Sequence, residues 1–221
     1  MIKVKNLTFC YKGNDTLFKC DPIELPRKGV IPLMGANGSG KSTFLEVLAG
    51  IQGRDFAIEI NGKKMSETLP VQWAESFSFL SQQSEYNPLL TGFELLDILW
   101  GKSLCLKEKE RFLSFLKIQN LLNQRLGELS GGERQKVLLL GVFSGNMPAY
   151  LLDEPTVALD PLERKRFESY LLELSSEKLI LLATHNLEIL NISEKVLVFQ
   201  NQTVKLHLLK DIQKNIYEIY S

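Results

Sequence analysis

Cysteine is scarce in this sequence, with three among 221 residues. Cys10, Cys20 and Cys105 are odd in number and lack metal-ligand spacing. They suit neither a disulfide framework nor a zinc site and read as reduced thiols of a cytosolic chain. An excess of charge is missing too. Lys+Arg 26 balance Asp+Glu 26, which argues against a polybasic binder of nucleic acid or of an anionic membrane surface. Long apolar runs are absent: the longest, VLLLGVF and LILLA, fall far short of the roughly 18 residues a membrane span needs. Any membrane connection therefore goes through a partner. The start, MIKVKNLTFCYKG, has neither a signal-peptide nor a transit-peptide pattern. No internal repeat, low-complexity tract or long linker interrupts the chain. What remains is 44% hydrophobic, enough for one globular domain with a sizeable core and no added regulatory domain.

The first third reads as strands. IKVKNLTF nearly alternates, KGVIPLM runs into a glycine loop, and FAIEINGKKM carries the hairpin pair Asn61-Gly62. SFSFL is a further short strand. From about Thr91 the period changes. Thr91 and Glu94 fit a capping box ahead of LLDILW, and KEKERFLSFLKI continues at helical spacing. This block is a helical insertion between strands. Further on, AYLLD, KLILLAT and KVLVF are strands alternating with the helices PLERKRFESYLLEL and LEILNI, which predicts a buried, mainly parallel sheet. The tail LKDIQKNIYEIYS is expected to form one amphipathic helix. Pro32 sits inside a strand that should be central, so a local irregularity is expected there.

Two motifs carry phosphate chemistry. GANGSGKST, Gly35 to Thr43, follows a strand, precedes a helix and fits the phosphate-loop pattern. Its glycines, with Asn37 and Ser39 between them, let backbone N–H groups curl around phosphates at a helix N-terminus (Gly35, Gly38, Gly40). Lys41 would reach the terminal phosphates and Ser42 would ligate Mg²⁺. The second motif, AYLLDEPTVALD, delivers Asp153 and Glu154 at the C-terminal end of a strand, where open α/β sheets bind ligands. Asp153 is placed to hold Mg²⁺ through its water shell. Glu154 is placed to orient or deprotonate water. His185 leaves the sheet at the same edge and can contact a terminal phosphate. His207 lies in a polar C-terminal strand and is given no role.

LSGGERQ is the less obvious feature. Ser130 with Glu133 fits a capping box, yet capping explains neither Gly131 nor Gly132. Bare glycines leave first-turn N–H groups uncovered, a second anion site with nothing in its own chain to aim at.

GANGSGKS, LSGGERQ, LLDEP, ALD and a downstream TH, in that order, resemble the nucleotide-binding subunit of ATP-binding cassette (ABC) transporters. The resemblance runs from the N-terminal strands to about Phe199, and LSGGE is its specific element. It implies the P-loop ABC ATPase fold: a mainly parallel core, an antiparallel β subdomain near the N-terminus and a helical subdomain. The expected division is one domain, 1–221. Residues 1–83 and 125–221 form the core with the β subdomain, and 84–124 form the helical part. The resemblance further implies that Tyr11 stacks on adenine and that Gln82 touches Mg²⁺ and senses the γ-phosphate, with Gln83 as the neighbouring alternative. Thr43 closes the phosphate loop, and Asp160 belongs to a loop crossing a dimer interface.

ATP and Mg²⁺ are the implied ligands. The implied assembly is a head-to-tail dimer, with itself or a related chain. In it Ser130, Gly131 and Gly132 of one copy cover the ATP of the other. The groove for an integral-membrane partner would lie on the helical insertion, placing the chain on the inner face of a membrane. Importer and exporter stay open. The alternative is an ABC ATPase of a soluble assembly, of the iron–sulfur cluster type. A DNA-repair or chromosome-organising ATPase would need a long coiled coil, but 48 positions separate Gln82 from Ser130 with no heptad array. A GTPase would need Asn-Lys-x-Asp, which is absent. Some positions depart from the family pattern. Val157 stands for the usual serine, Asn186 for the usual aspartate, LLLGVFSG for an alanine–arginine pattern, and QNQT for the C-terminal turn.

Overall fold

Lys5 and Asn6 divide the alternating run IKVKNLTF in two. Asn6 takes φ 39°, a left-handed corner that asparagine tolerates better than most residues. On either side lie β1 (Ile2–Val4) and β2 (Leu7–Cys10), which enter different sheets. The computed structural model describes residues 1–11, 13, 15–53, 56–82 and 86–212. After β2 come β3 (Thr16–Cys20), β4 (Ile23–Leu25), β5 (Gly29–Gly35), α1 (Lys41–Ala49), β6 (Ile58–Ile60), β7 (Lys63–Lys64), α2 (Pro70–Ala74) and β8 (Phe77–Leu80). Next come α3 (Gly92–Trp100), α4 (Leu106–Leu116) and α5 (Gly131–Phe143). The last third runs β9 (Ala149–Asp153), α6 (Pro161–Leu174), β10 (Leu179–Ala183), a 3-10 turn (Leu187–Ile192), β11 (Lys195–Gln200), β12 (Thr203–Leu208) and α7 (Leu209–Ile212). Of the expected C-terminal helix, α7 is the described part; the rest lies outside the described residues. So do Gln83 and Ser84, at the start of the helical insertion.

The main sheet has the order β2-β3-β12-β11-β5-β10-β9-β8. Pairing is parallel from β11 through β8 and between β12 and β3. The outer pairs β2–β3 and β11–β12 are antiparallel. A second sheet, β4-β1-β6-β7, is antiparallel throughout, and its β6–β7 hairpin turns at Asn61-Gly62 as expected. The N-terminal strands thus divide their loyalty: β2 and β3 extend the main sheet instead of joining the antiparallel one. Pro32 produces the expected irregularity on one side only. Toward β10 the register is unbroken, Leu182 facing Pro32. Toward β11, Val30 bridges Ser193 while Leu33 pairs Leu197. The β11 side therefore carries one extra residue where the proline cannot donate to the ladder.

Strands buried on both faces sort their side chains into two cores. Ile31, Leu33, Leu151 and Leu181 point into a core with Phe44, Leu45 and Leu48 of α1 and the antiparallel sheet. Val30, Tyr150, Leu152, Ile180 and Leu182 point the other way, into a core with α5, α6 and the helical insertion. The insertion is bolted to α5 by Trp100. Its indole donates from Nε1 to the Gly141 carbonyl at 2.6 Å. A Cβ at Gly145 would lie 2.2 Å from the Trp100 ring, and one at Gly141 would lie 2.9 Å from Leu99. This packing accounts for LLLGVFSG: the C-terminal half of α5 is narrowed to receive α3. Helix α2, five residues starting at Pro70, is too short for a periodic pattern to betray. Trp73 pins it by donating to the Leu48 carbonyl at 2.9 Å.

Candidate nucleotide site

The site forms where β5 ends and α1 begins. Helix α1 has Gly40 as its N-cap with φ 99°, no side-chain cap and no acidic residue in its first turn. Its leading N–H groups are thus open to an anion. A Cβ at Gly40 would meet the Phe18 ring at 2.6 Å, so both the turn and the packing beneath it demand glycine. Ser39 Oγ is buried without a hydrogen-bond partner. Lys41 is buried, and its Nζ donates to the carbonyls of Gly35 at 2.7 Å and Ala36 at 2.9 Å. Burial lowers its pKa, while the nearby Glu154 and Asp153 carboxylates oppose that shift. These features fit a polyphosphate: backbone donors, a desolvated cation and room for oxygens.

Strand β9 lies one strand removed from β5, with β10 between them, and ends at the same edge. Asp153 is buried. Burial pushes its carboxyl above the ordinary range, while donors from the Ser42 hydroxyl and the Gln82 backbone N–H pull it down. Glu154 takes φ 48°, an uncommon conformation for a non-glycine residue, and its N–H donates to the Ala183 carbonyl at 2.9 Å. Burial and the Asp153 charge raise its pKa, and the His185 backbone N–H donates to its carboxylate. The His185 ring stands with Nε2 3.6 Å from Glu154 Oε1. Burial, then Lys41, hold the imidazole pKa below its usual value, so the ring is mainly neutral at pH 7.

These groups enclose a cavity of about 670 Å³, lined by Tyr11, Gly38, Lys41, Gln82, Glu154 and His185 among others. Asn37, Gly40, Ser42, Thr43 and Asp153 also line it; Gly35 and Ser39 do not. Tyr11 is exposed, and its hydroxyl shares a 2.9 Å hydrogen bond with Thr43 Oγ1. Two lining residues were not assigned to the site from the sequence: Leu17, and Val157, which stood out there only as a departure from the family pattern. Leu17 lies on β3, where a lone leucine in a five-residue strand gives no signal. A somewhat larger cavity, about 770 Å³, opens at the opposite end of the strands near Met1, Arg27 and Lys178. It lacks a phosphate loop and a converging carboxylate pair, so the chemistry belongs to the smaller one.

Ser130, Gly131 and Gly132 do not line this cavity. The capping box is formed: Ser130 Oγ accepts from the Glu133 N–H, and the Glu133 carboxylate accepts from the Ser130 N–H at 3.0 Å. The two glycines differ in kind. Gly131 has open space where a side chain would go. At Gly132 a Cβ would lie 2.7 Å from the Ala158 carbonyl, so that glycine serves close packing within its own chain. Two more contacts bind this helix start to the loop after Glu154 and to the first turn of α6. Gln135 Nε2 donates to the Pro155 carbonyl at 3.0 Å, and Lys136 pairs with Glu163.

A phosphate loop after a central parallel strand, with two carboxylates delivered at the same edge, defines the phosphate-loop ATPase class of α/β fold. Within that class the chain belongs to the ABC transporter family, whose profile matches residues 21–157. An uncharacterized ABC transporter ATP-binding protein of Haemophilus influenzae is 30% identical over 91% of this chain and 82% of its own length. The nisin transport ATP-binding protein NisT of Lactococcus lactis is 30% identical over 92% of this chain, which spans 37% of that longer protein. Among solved structures, a dimeric post-hydrolysis ATP-binding cassette of Methanocaldococcus jannaschii, bound to ADP and Pi, superposes with a TM-score of 0.80. It is 25% identical and covers 95% of this chain and 99% of its own.

Proposed function

We propose that this chain is the ATP-hydrolysing subunit of a membrane transporter and works as a head-to-tail dimer. One observation carries the reading. The exposed Ser130–Gly131 helix start has open space at Gly131, yet it stands apart from the chain's own cavity. A second copy, or a related chain, supplies the nucleotide it faces. Lys41 and the loop N–H groups hold the phosphates, and Tyr11 stacks on the adenine. Ser42, Asp153 and Gln82 would hold Mg²⁺, which offsets phosphate charge when bound. No cluster of three His, Cys, Asp or Glu exists among the described residues, which suits an ion held mostly by phosphates and water. Glu154, with its pKa raised by burial, accepts the proton of the attacking water. Neutral His185 donates toward the γ-phosphate.

The helical insertion, with α3 and α4 as its described helices, is the surface for the membrane partner. Phe93, Ile98 and Leu99 of α3 are exposed there. No helix among the described residues is long and apolar enough to cross a membrane; the attachment proposed at the inner face is through that partner. NisT, named for transport, favours this reading over a soluble iron–sulfur assembly; no nucleic-acid partner is proposed. The test is Glu154→Gln. ATP binding should persist, turnover should fall about a hundredfold or more, and an ATP-dependent dimer should become isolable by size-exclusion chromatography. Turnover within twofold of the unaltered protein would remove Glu154 from its role.

A further inference from the structure

The turn after β10 does two things for the site: His185 donates its backbone N–H to the Glu154 carboxylate and sets its ring beside it. The next residue, Asn186, holds that turn by three bonds. Its N–H donates to Thr184 Oγ1 at 3.1 Å, on a buried threonine. Its Oδ1 accepts the Glu188 N–H at 3.0 Å and so caps the 3-10 turn. Its Nδ2 donates to Glu168 Oε1 at 2.9 Å, across to α6.

Aspartate could make the first two bonds but not the third, because a carboxylate has no donor. It would also set a second negative charge against Glu168. That carboxyl is half-buried and already feels the negative Glu188. Nearby Lys165 and Arg164 relieve the charge only in part, since burial and Glu188 together hold the Glu168 pKa above its ordinary range. The Asn186 amide is therefore matched to Glu168, which explains the departure at this position. Helix α6 begins at its cap Asp160, directly after the loop that follows Glu154. The bond thus ties the His185 turn to the helix that anchors the far end of that loop.

We infer that Asn186 and Glu168 form a positioning pair that holds the His185 turn, and through it Glu154, in working geometry. The inference rests on the ATPase reading for its consequence in turnover, but not for the geometry. The chain has two histidines, His185 and His207, so the Cε1–H region of a ¹H–¹³C spectrum holds two signals, assigned with His207→Gln. Asn186→Asp should displace the His185 signal and leave the His207 signal in place. Turnover should fall between about tenfold and about a hundredfold, with affinity for a fluorescent ATP analogue within about twofold. Adding Glu168→Gln restores a donor opposite the new carboxylate. The double variant should return the His185 signal and bring turnover back to within about threefold of the unaltered protein. A merely structural role would not give this rescue.

An unmoved His185 signal in Asn186→Asp overturns the pair. So does a moved signal with unchanged turnover, or a double variant that stays impaired while the His207 signal and circular dichroism match the unaltered protein. Failure of the ATPase reading looks different. It appears as equal turnover in the unaltered protein and in Glu154→Gln, whereas the His185 signal needs no hydrolysis and judges the geometry by itself.

Discussion

Single residues in this protein are tuned chiefly by burial. Lys41, Asp153, Glu154 and His185 are each displaced toward their neutral forms by loss of water; neighbours partly correct the first three, whereas Lys41 reinforces the shift at His185. The thiols show the same rule away from the site. Cys20 is buried and its pKa is pushed up to about 12, whereas Cys10 is exposed. The thiolate is the reactive form, so a raised pKa suppresses reaction at neutral pH. Maleimide at pH 7.5 should label Cys10 within minutes and Cys20 only after denaturation, as read by peptide mass spectrometry. Rapid labelling of Cys20 in the native protein would contradict its burial at the end of β3.

At the scale of elements, the joint between α3 and the end of α5 is closely packed. Gly145→Ala would drive a methyl into the Trp100 ring, and overpacking of this kind costs about 1–3 kcal/mol. Urea denaturation should show that loss. The larger Gly145→Val should lose more, and pairing Gly145→Ala with Trp100→Leu should recover part of it. Equal stability of Gly145→Ala and the unaltered protein would mean that the joint is loose. How much of such structure can be read beforehand depends on how far along the chain the partners lie. The capping boxes at Thr91 and Ser130 were legible because cap and acid sit three residues apart. The phosphate loop and the acidic strand end were legible for the same reason. The corner at Asn6 was not, since the choice of sheet is made by partners far along the chain. The fit of Gly132 against Ala158 and of Trp100 against Gly145 depends on contacts that no local pattern records.

At the scale of the whole molecule, the prediction concerns pairing. Ser130 is exposed, and its neighbour Gly131 faces open space, so Ser130→Arg should fold normally and bind ATP as a monomer. Combined with Glu154→Gln it should abolish the ATP-dependent dimer seen by light scattering. If ATP binding by the monomer fell instead, Ser130 would serve its own nucleotide and the head-to-tail arrangement would be wrong. Gly132 behaves differently. It abuts the Ala158 carbonyl, and the neighbouring Val157 lines the chain's own cavity. The edge offered to a partner therefore packs directly against the backbone that carries a wall of the home site. In the proposed head-to-tail dimer, a side chain at 132 would be felt in both nucleotide sites at once, even if the second chain were untouched. A mixed pair in which one site decays while the other stays sound cannot be reached through this position.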